Sequence, residues 1–335
     1  KTSPPTIRTQ MHALVEKAGL RFAHFVDWRR FKFRFFIVCF ETWSSKGSQQ
    51  LKQILGKAMS TYRRAFTLDI THRLGWISFQ IPDQAKPLQL FQRQLAQLEE
   101  AFFEKVQIHD VSKYYFSIGF DSFDFGTGNW HIEGDVSTLG LLTFAKENWE
   151  VLPRPQGITY TQSRPFDQLD YYIATFLAGD GRARMDKLKN RLKGVGLTIP
   201  RTTISTRKSQ LLQEKAIVPF TLFGSPLLSS FITFAFRCDP EITEQLLISI
   251  AQMPIAFAYA SNIGCFLSVH LPSQSLGTII HLFSSLIEEE GVEEVLQIQQ
   301  PRNLGSRTPP LGPKWNGSYW TWQEKEFLLP SLGLK

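Results

Sequence analysis

Two α+β halves in tandem are encoded by this 335-residue chain, and three observations lead to that expectation. Short apolar runs bounded by turn residues alternate with helical stripes along the chain, which is the pattern of mixed structure. The order of segments in the second half recurs in the first. The length also exceeds what one compact domain usually holds.

The recurrence is residue by residue. Thr6-Ile7-Arg8-Thr9 and Leu14 to Leu20 line up with Thr203-Ile204-Ser205-Thr206 and Leu211 to Ile217. The apolar run Phe35 to Phe40 matches Phe231 to Phe236, and Gln50-Leu51 matches Gln245-Leu246. Gly75-Trp76-Ile77 with Ile81-Pro82 matches Gly264-Cys265-Phe266 with Leu271-Pro272, and Trp130 matches Trp320. Chance likeness of apolar runs does not explain turns, prolines and tails kept in one order.

Elements of the second half follow from local pattern. Phe166, Leu169, Ile173, Phe176 and Leu177 make a helical stripe opened by Asp167 and closed by Gly179-Asp180-Gly181. A second helix covers Arg184 to Leu192, with Gly194 and Gly196 at its turn, and a third starts after Pro200 with Ile204, Leu211 and Leu212 inward. Three short helices followed by the strand from Ile217 to Phe223 describe a winged helix-turn-helix. Then come a strand (228–237), a helix (240–252), strands 255–260 and 265–270, a helix around Leu276 to Leu286, and a strand from Val292 to Gln299. Asn262 and Gly264 supply positive φ at the strand turn. The order β-α-β-β-α-β is a ferredoxin-like (RAM-like) domain.

Composition sets outer limits. With 43% apolar and 20% charged residues the chain is globular, not disordered. Cys39, Cys238 and Cys265 form no CxxC or Cys/His ligand pattern, so no metal or cofactor is expected and a reducing, cytoplasmic setting fits. The opening KTSPPTIRTQ lacks an apolar leader core. The run Ile217 to Phe236 is broken by Pro219, Gly224 and Pro226, so two strands fit better than a membrane span.

Charge is concentrated. Residues 1–34 carry eight basic against two acidic residues, and residues 181–216 carry ten against two, while the whole chain nets +7. The remainder is therefore acidic, and the two basic stretches are candidate polyanion sites or solvated helical faces.

With Asp167-Gln168-Leu169-Asp170, Asp180-Gly181-Arg182, Pro200 to Arg207 and Lys215-Ala216-Ile217 in place, the chain resembles the Lrp/AsnC (feast/famine) transcription regulators. The likeness covers roughly 165 to 300 well and 3 to 110 more weakly. It implies a winged helix-turn-helix plus ferredoxin-like domain, repeated twice with the first helix-turn-helix incomplete. The expected boundaries are 1–32 (partial winged helix-turn-helix), 33–119 (first ferredoxin-like domain), 120–164 (Trp-containing tail and linker), 165–226 (complete winged helix-turn-helix), 227–300 (second ferredoxin-like domain) and 301–335 (Trp-rich tail). Because the chain opens at Lys1 within the first recognition helix, a missing N-terminal part is the expectation and a degenerate first motif its rival.

The resemblance implies a sequence-specific regulator that works as an intramolecular pseudo-dimer on double-stranded DNA, not an enzyme. Its DNA-binding set is Arg182, Arg184, Arg201, Thr202, Thr203, Ser205, Thr206, Arg207 and Lys208, with Thr6, Arg8, Thr9, Gln10 and His12 in the first half. Arginine and lysine there suit phosphates, and the short hydroxyls suit phosphates or base edges. Gln10 suits adenine, and equally an exposed helix position. Homo-oligomerisation through the ferredoxin-like domains and a small-molecule effector are also implied, although the turn before Gly264 lacks the Gly-x-x-Asp of many amino-acid-sensing members. Arg29, Arg30, Lys32 and Arg34 fit DNA contact or edge-strand charge alike. Trp315, Trp320 and Trp322 fit packing better than base stacking, and His109, His270 and His281 fit structural roles.

Two other readings stay open. The turn Thr71-His72-Arg73-Leu74-Gly75-Trp76 resembles the His-Arg turn of siroheme decarboxylases, with His72 as an acid and Arg73 as a carboxylate clamp. An architectural or protein-interaction module is the third.

Overall fold

The computed structural model describes residues 9, 21–57, 62–118, 123–124, 129–130, 165–222, 228, 230–250, 253, 255–299, 316 and 319–329. In chain order the elements are β1 (Arg21–Val26), a 3-10 turn (Trp28–Phe31), β2 (Phe33–Thr42), α1 (Ser45–Lys57), β3 (Arg63–Leu68), β4 (Leu74–Pro82), α2 (Ala85–Phe102) and β5 (Phe103–Ile118). A two-residue pair, β6 (Phe123–Asp124) and β7 (Asn129–Trp130), follows. Next come α3 (Gln168–Gly179), α4 (Met185–Gly194), α5 (Arg201–Gln213), β8 (Ile217–Leu222), β9 (Ser230–Cys238), α6 (Pro240–Ser249), β10 (Ile255–Ser261), β11 (Gly264–Leu271), α7 (Leu276–Ser285) and β12 (Val292–Gln299). The second-half elements fall within a few residues of their expected positions. Among the described residues no helix is long and apolar enough to cross a membrane.

Two compact units form. One takes the described residues within Lys1–Phe33, Tyr160–Pro226 and Thr308–Gln323, and the other those within Arg34–Thr159, Leu227–Arg307 and Glu324–Lys335. The larger unit is a mixed α/β body around an eight-stranded sheet ordered β12-β9-β11-β10-β5-β2-β4-β3. Each half of it reads β-α-β-β-α-β with its fourth, first, third and second strands side by side. The halves join where β10 pairs antiparallel with β5, Ile255 opposite Ile118 through Ser261 opposite Val111.

Alternation decides the faces. Phe36, Val38 and Phe40 of β2 point to the helix-covered face, where Phe36 and Phe79 meet Phe91 of α2 and Phe40 stacks on Phe103. Phe234, Phe236, Leu267 and Val269 do the same beneath α6 and α7 with Leu246, Leu247 and Phe283. The opposite face gathers Ile37, Cys39 and Val111 from one half with Ala235, Phe266, Leu296 and Ile298 from the other. Trp76 and Phe266 touch there at 5.4 Å between ring centroids. Their strands are four places apart, about 19 Å in a flat sheet, so the sheet curls until its halves meet.

Trp76 and Phe266 share the inner face, while Cys265 faces the helices, so the expected match of Trp76 with Cys265 puts together side chains of opposite faces. The turn chemistry differs as well. Gly264 takes φ +138, but Asn262 has no positive φ and uses its Oδ1 to accept from the Asp110 backbone N–H at 3.0 Å. In the first half the inner face is more polar. His109 bonds Ser261 Oγ (2.8 Å) and Gln107 Oε1 (3.1 Å), while Thr67 Oγ1, Trp76 Nε1, both amide atoms of Gln80 and Gln107 Nε2 have no partner among the described residues.

Near the C-terminus, buried Phe327 stacks on Tyr62 at 4.5 Å, and the Tyr62 hydroxyl donates to Glu326 at 2.7 Å.

Candidate nucleic-acid interface

The smaller unit is built around α3, whose residues from Asp170 to Leu177 are all buried. A helix apolar on nearly every side is a central one. Against it pack Leu188 and Leu192 of α4, Ile204 and Leu211 of α5, Ile217 of β8, and Val26, Phe31 and Phe33. Helices α4 and α5 bury narrow stripes, two residues each, and turn the rest of their surfaces outward.

Asp167 and Asp170 form a reciprocal capping box at the start of α3, with Asp170 N donating to Asp167 Oδ1 at 3.0 Å and Asp167 N to Asp170 Oδ2 at 3.1 Å. Arg207 reaches from α5 to both carboxylates, Nη1 to Asp170 and Nη2 to Asp167, each at 3.1 Å. The guanidinium, expected near the boundary of the outward side, ties the third helix to the first. Asp170 is fully buried, so removing its cationic partner is costly. Arg207→Met is expected to destabilise the chain by about 2–4 kcal/mol, whereas Ser205→Ala should stay within about 0.5 kcal/mol. Urea unfolding followed by circular dichroism measures both; equal, small effects would show that the clamp carries no load.

Strands β1 and β8 pair antiparallel, Arg21 opposite Leu222 through Val26 opposite Ile217. The Asp180-Gly181-Arg182 turn rests on this ribbon. Gly181 donates to the Phe22 carbonyl at 2.8 Å, and a Cβ on it would lie 2.9 Å from Ala23 N, so the close approach requires glycine. The Arg182 guanidinium lies 3.9 Å over the Phe22 ring, and Asp180 pairs with Lys187 at 2.6 Å. Of the basic residues after β1, Arg30 is buried beside Asp27 and donates to the Glu214 carbonyl, a structural role. In the larger unit, Arg34 pairs with Asp110.

Helix α5 has no acidic residue. Arg201, Thr202, Ser205, Thr206 and Ser209 are exposed, and Thr203 and Lys208 are half-buried. Spacings of four put Arg201, Ser205 and Ser209 in one row and Thr202 with Thr206 in the next. Arg201 meets Asp186 at 3.7 Å, an exposed pair of little strength. Arg184, Lys189 and Lys193 on and before α4 are also exposed. From sequence, Lys189 and Lys193 fall in the basic stretch 181–216 and Ser209 on the outward side of the third helix, but none of the three is in the expected DNA-binding set. Of the first-half set, Thr9 is helical and exposed, while Thr6, Arg8, Gln10 and His12 lie outside the described residues, as does Trp315 of the C-terminal tail.

In the larger unit, the His72-Arg73 turn is held by its own side chains. Asp69 Oδ1 accepts from Arg73 N and Leu74 N, both at 3.1 Å, and exposed His72 takes φ 58. Arg73 is committed to Glu41 (2.8 Å), Glu104 (2.7 Å) and the Thr42 carbonyl (3.2 Å). A guanidinium already facing two carboxylates is poorly placed to clamp a third.

No family model and no curated protein matches the sequence. Among solved structures the chain is similar to the siroheme decarboxylase NirDL, at 10% identity and a TM-score of 0.54, covering 97% of this chain and 86% of that one. It is similar to the same enzyme in co-complex with an iron-uroporphyrin III analogue, at 10% identity and a TM-score of 0.53, covering 92% and 84%. E. coli AsnC matches over 43% of this chain and 97% of its own, at 17% identity and a TM-score of 0.28. The likeness to NirDL is one of fold: a mixed α/β architecture with a large antiparallel sheet.

Proposed function

We propose that this chain is an internally duplicated DNA-binding regulator in which α3, α4 and α5 form a winged helix-turn-helix and α5 enters the major groove. The observation that carries the reading is the outer surface of α5, where Arg201, Thr202, Ser205, Thr206 and Ser209 stand together on a helix without a carboxylate. A helix of about 10–12 Å diameter fits a groove about 12 Å wide. Short hydroxyls let its backbone approach base edges, and Arg184, Lys189, Lys193 and Lys208 flank them for phosphates. Arg182 contributes from the turn that rests on the ribbon, and Arg207 acts as a positioning residue. The antiparallel β1–β8 pair supports a pseudo-dimer, since each strand follows one of the two matching segments. On this reading the first-half set, Thr6, Arg8, Thr9, Gln10 and His12, contributes the second group of DNA contacts.

The whole-chain likeness to an enzyme motivates the alternative of a decarboxylase acting on a siroheme-like macrocycle. Three side chains suited to that group are already engaged by others. Such a macrocycle bears many carboxylates, yet Arg73 is engaged by two acids and Arg237 pairs with Glu294 at 3.7 Å. Both ring nitrogens of His109 are likewise taken.

The test compares wild type with Arg184→Gln/Arg201→Gln/Lys208→Gln by fluorescence anisotropy on genomic duplex fragments. The triple variant should keep its melting temperature and bind about 10–100-fold more weakly. Equal affinities would overturn the reading, and a porphyrin-type absorbance band in the purified protein would favour the enzyme.

A further inference from the structure

Two of the three cysteines converge on one point of the larger unit. Cys265 of β11 stands opposite Phe236 of β9, Gly264 opposite Arg237, and Cys238 N donates to the Ile263 carbonyl at 3.1 Å. Cys238 and Cys265 are thus diagonal neighbours on the same face of adjacent strands, both in the apolar layer beneath α6 and α7. Gly264 brings the strands close: a Cβ on it would lie 2.2 Å from the Phe236 carbonyl oxygen. The Thr243 hydroxyl lies 3.4 Å from Cys238 Sγ.

We propose that Cys238 and Cys265 form an oxidative modification site, closed to a buried disulfide by hydrogen peroxide. The two thiols are unequal in the way the reaction needs. Cys238 keeps 8% of its surface exposed, and its hydrogen bond to Cys265 lowers its pKa despite burial. Cys265 is fully buried, and burial holds it well above the ordinary range, so it stays a thiol. Cys238 loses its proton to water, and the thiolate attacks one peroxide oxygen, giving a sulfenic acid and hydroxide. The Cys265 sulfur then displaces the sulfenic oxygen as water, and its own proton leaves with that oxygen. The two thiols are oxidised by two electrons, one peroxide is reduced, and two waters form. The product is neutral, which suits an apolar layer; a thiolate-bound ion would carry charge into it. Cys39, buried on the opposite sheet face, has no place in the reaction.

The test treats the native full-length protein with hydrogen peroxide, quenches with an alkylating agent under denaturing conditions and maps peptides by mass. The expected result is a loss of about 2 Da, a linked Cys238–Cys265 peptide pair, an alkylatable Cys39, and reversal by a dithiol reductant. Cys39→Ala should react as wild type, and Cys238→Ser should lose the cross-link. A gain of about 16 or 32 Da without a cross-link, a link through Cys39, a disulfide between chains, or no mass change would each overturn the proposal. The wild-type peptide map decides the matter even if a serine variant fails to fold.

Discussion

Trp320→Ala is expected to destabilise the smaller unit by about 3–5 kcal/mol, the usual cost of emptying a buried aromatic site. Trp320 is 2% exposed, with Tyr171 at 4.5 Å and Phe33 at 5.2 Å between ring centroids. Its Nε1 donates to the Phe31 carbonyl at 2.6 Å, a contact spanning 289 positions of sequence. Truncation removes both the ring packing and the donor, leaving a buried carbonyl unpaired. Trp320→Phe separates the two terms: it keeps most of the packing and should cost about 1–3 kcal/mol for the lost hydrogen bond. Thermal unfolding monitored by far-ultraviolet circular dichroism reads both, and DNA affinity should fall with the population of the folded helical unit. A Trp320→Ala change below about 1 kcal/mol would mean that the C-terminal segment does not complete this core.

Acid should weaken the sheet unit strongly. His109 is fully buried, and burial, with the Arg237 charge adding to it, pushes its pKa down to about 3; burial pushes His270 down to about 4. Each folded pKa lies below the ordinary 6.5, so the unfolded chain binds protons that the folded one refuses. The stabilisation is complete above pH 6.5 and is lost as pH falls toward 4 and 3. At about 1.4 kcal/mol per pH unit for each group, acidification from 6.5 to 4.5 should cost roughly 3–5 kcal/mol. Asp27 in the smaller unit acts oppositely. Burial raises its pKa to about 6, so protonation between pH 6 and 4 favours the folded state there, while His24, lowered by burial, works against that gain. Urea midpoints measured from pH 7 to 4.5 test this. His109→Gln should flatten the acid slope by about one proton, and a flat wild-type profile would contradict the assignment.

Local pattern made the second half legible. The periodicity of α3, the proline before α5 and the alternating runs around Gly264 placed each element within a few residues, because those signals are contained in ten or so consecutive positions. Contacts between distant residues carried no such signal. Helical spacing put Arg201 on the outward side of α5 and Arg207 near its boundary, but it could not show that Arg207 is committed to Asp167 and Asp170 while Arg201 is exposed beside Asp186. The glycines at 75 and 264 matched Trp76 with Cys265, yet Trp76 meets Phe266, since only the curl of the sheet decides which side chains meet. The packing role expected for Trp320 was sound, but its partners, Phe31, Phe33 and Tyr171, are set by tertiary structure. The His-Arg turn read as chemistry in sequence because nothing there shows Glu41 and Glu104 closing on Arg73.

The most direct test of the DNA-binding claim is the salt dependence of wild-type affinity for duplex DNA, measured by anisotropy over a series of potassium chloride concentrations. If α5 and its flanking cations sit on phosphates, log K should fall linearly with log salt, with a slope of about −4 to −6. The triple variant Arg184→Gln/Arg201→Gln/Lys208→Gln should make the slope less steep by about 2–3. No binding at low salt, or a slope that the triple variant leaves unchanged, would contradict the account.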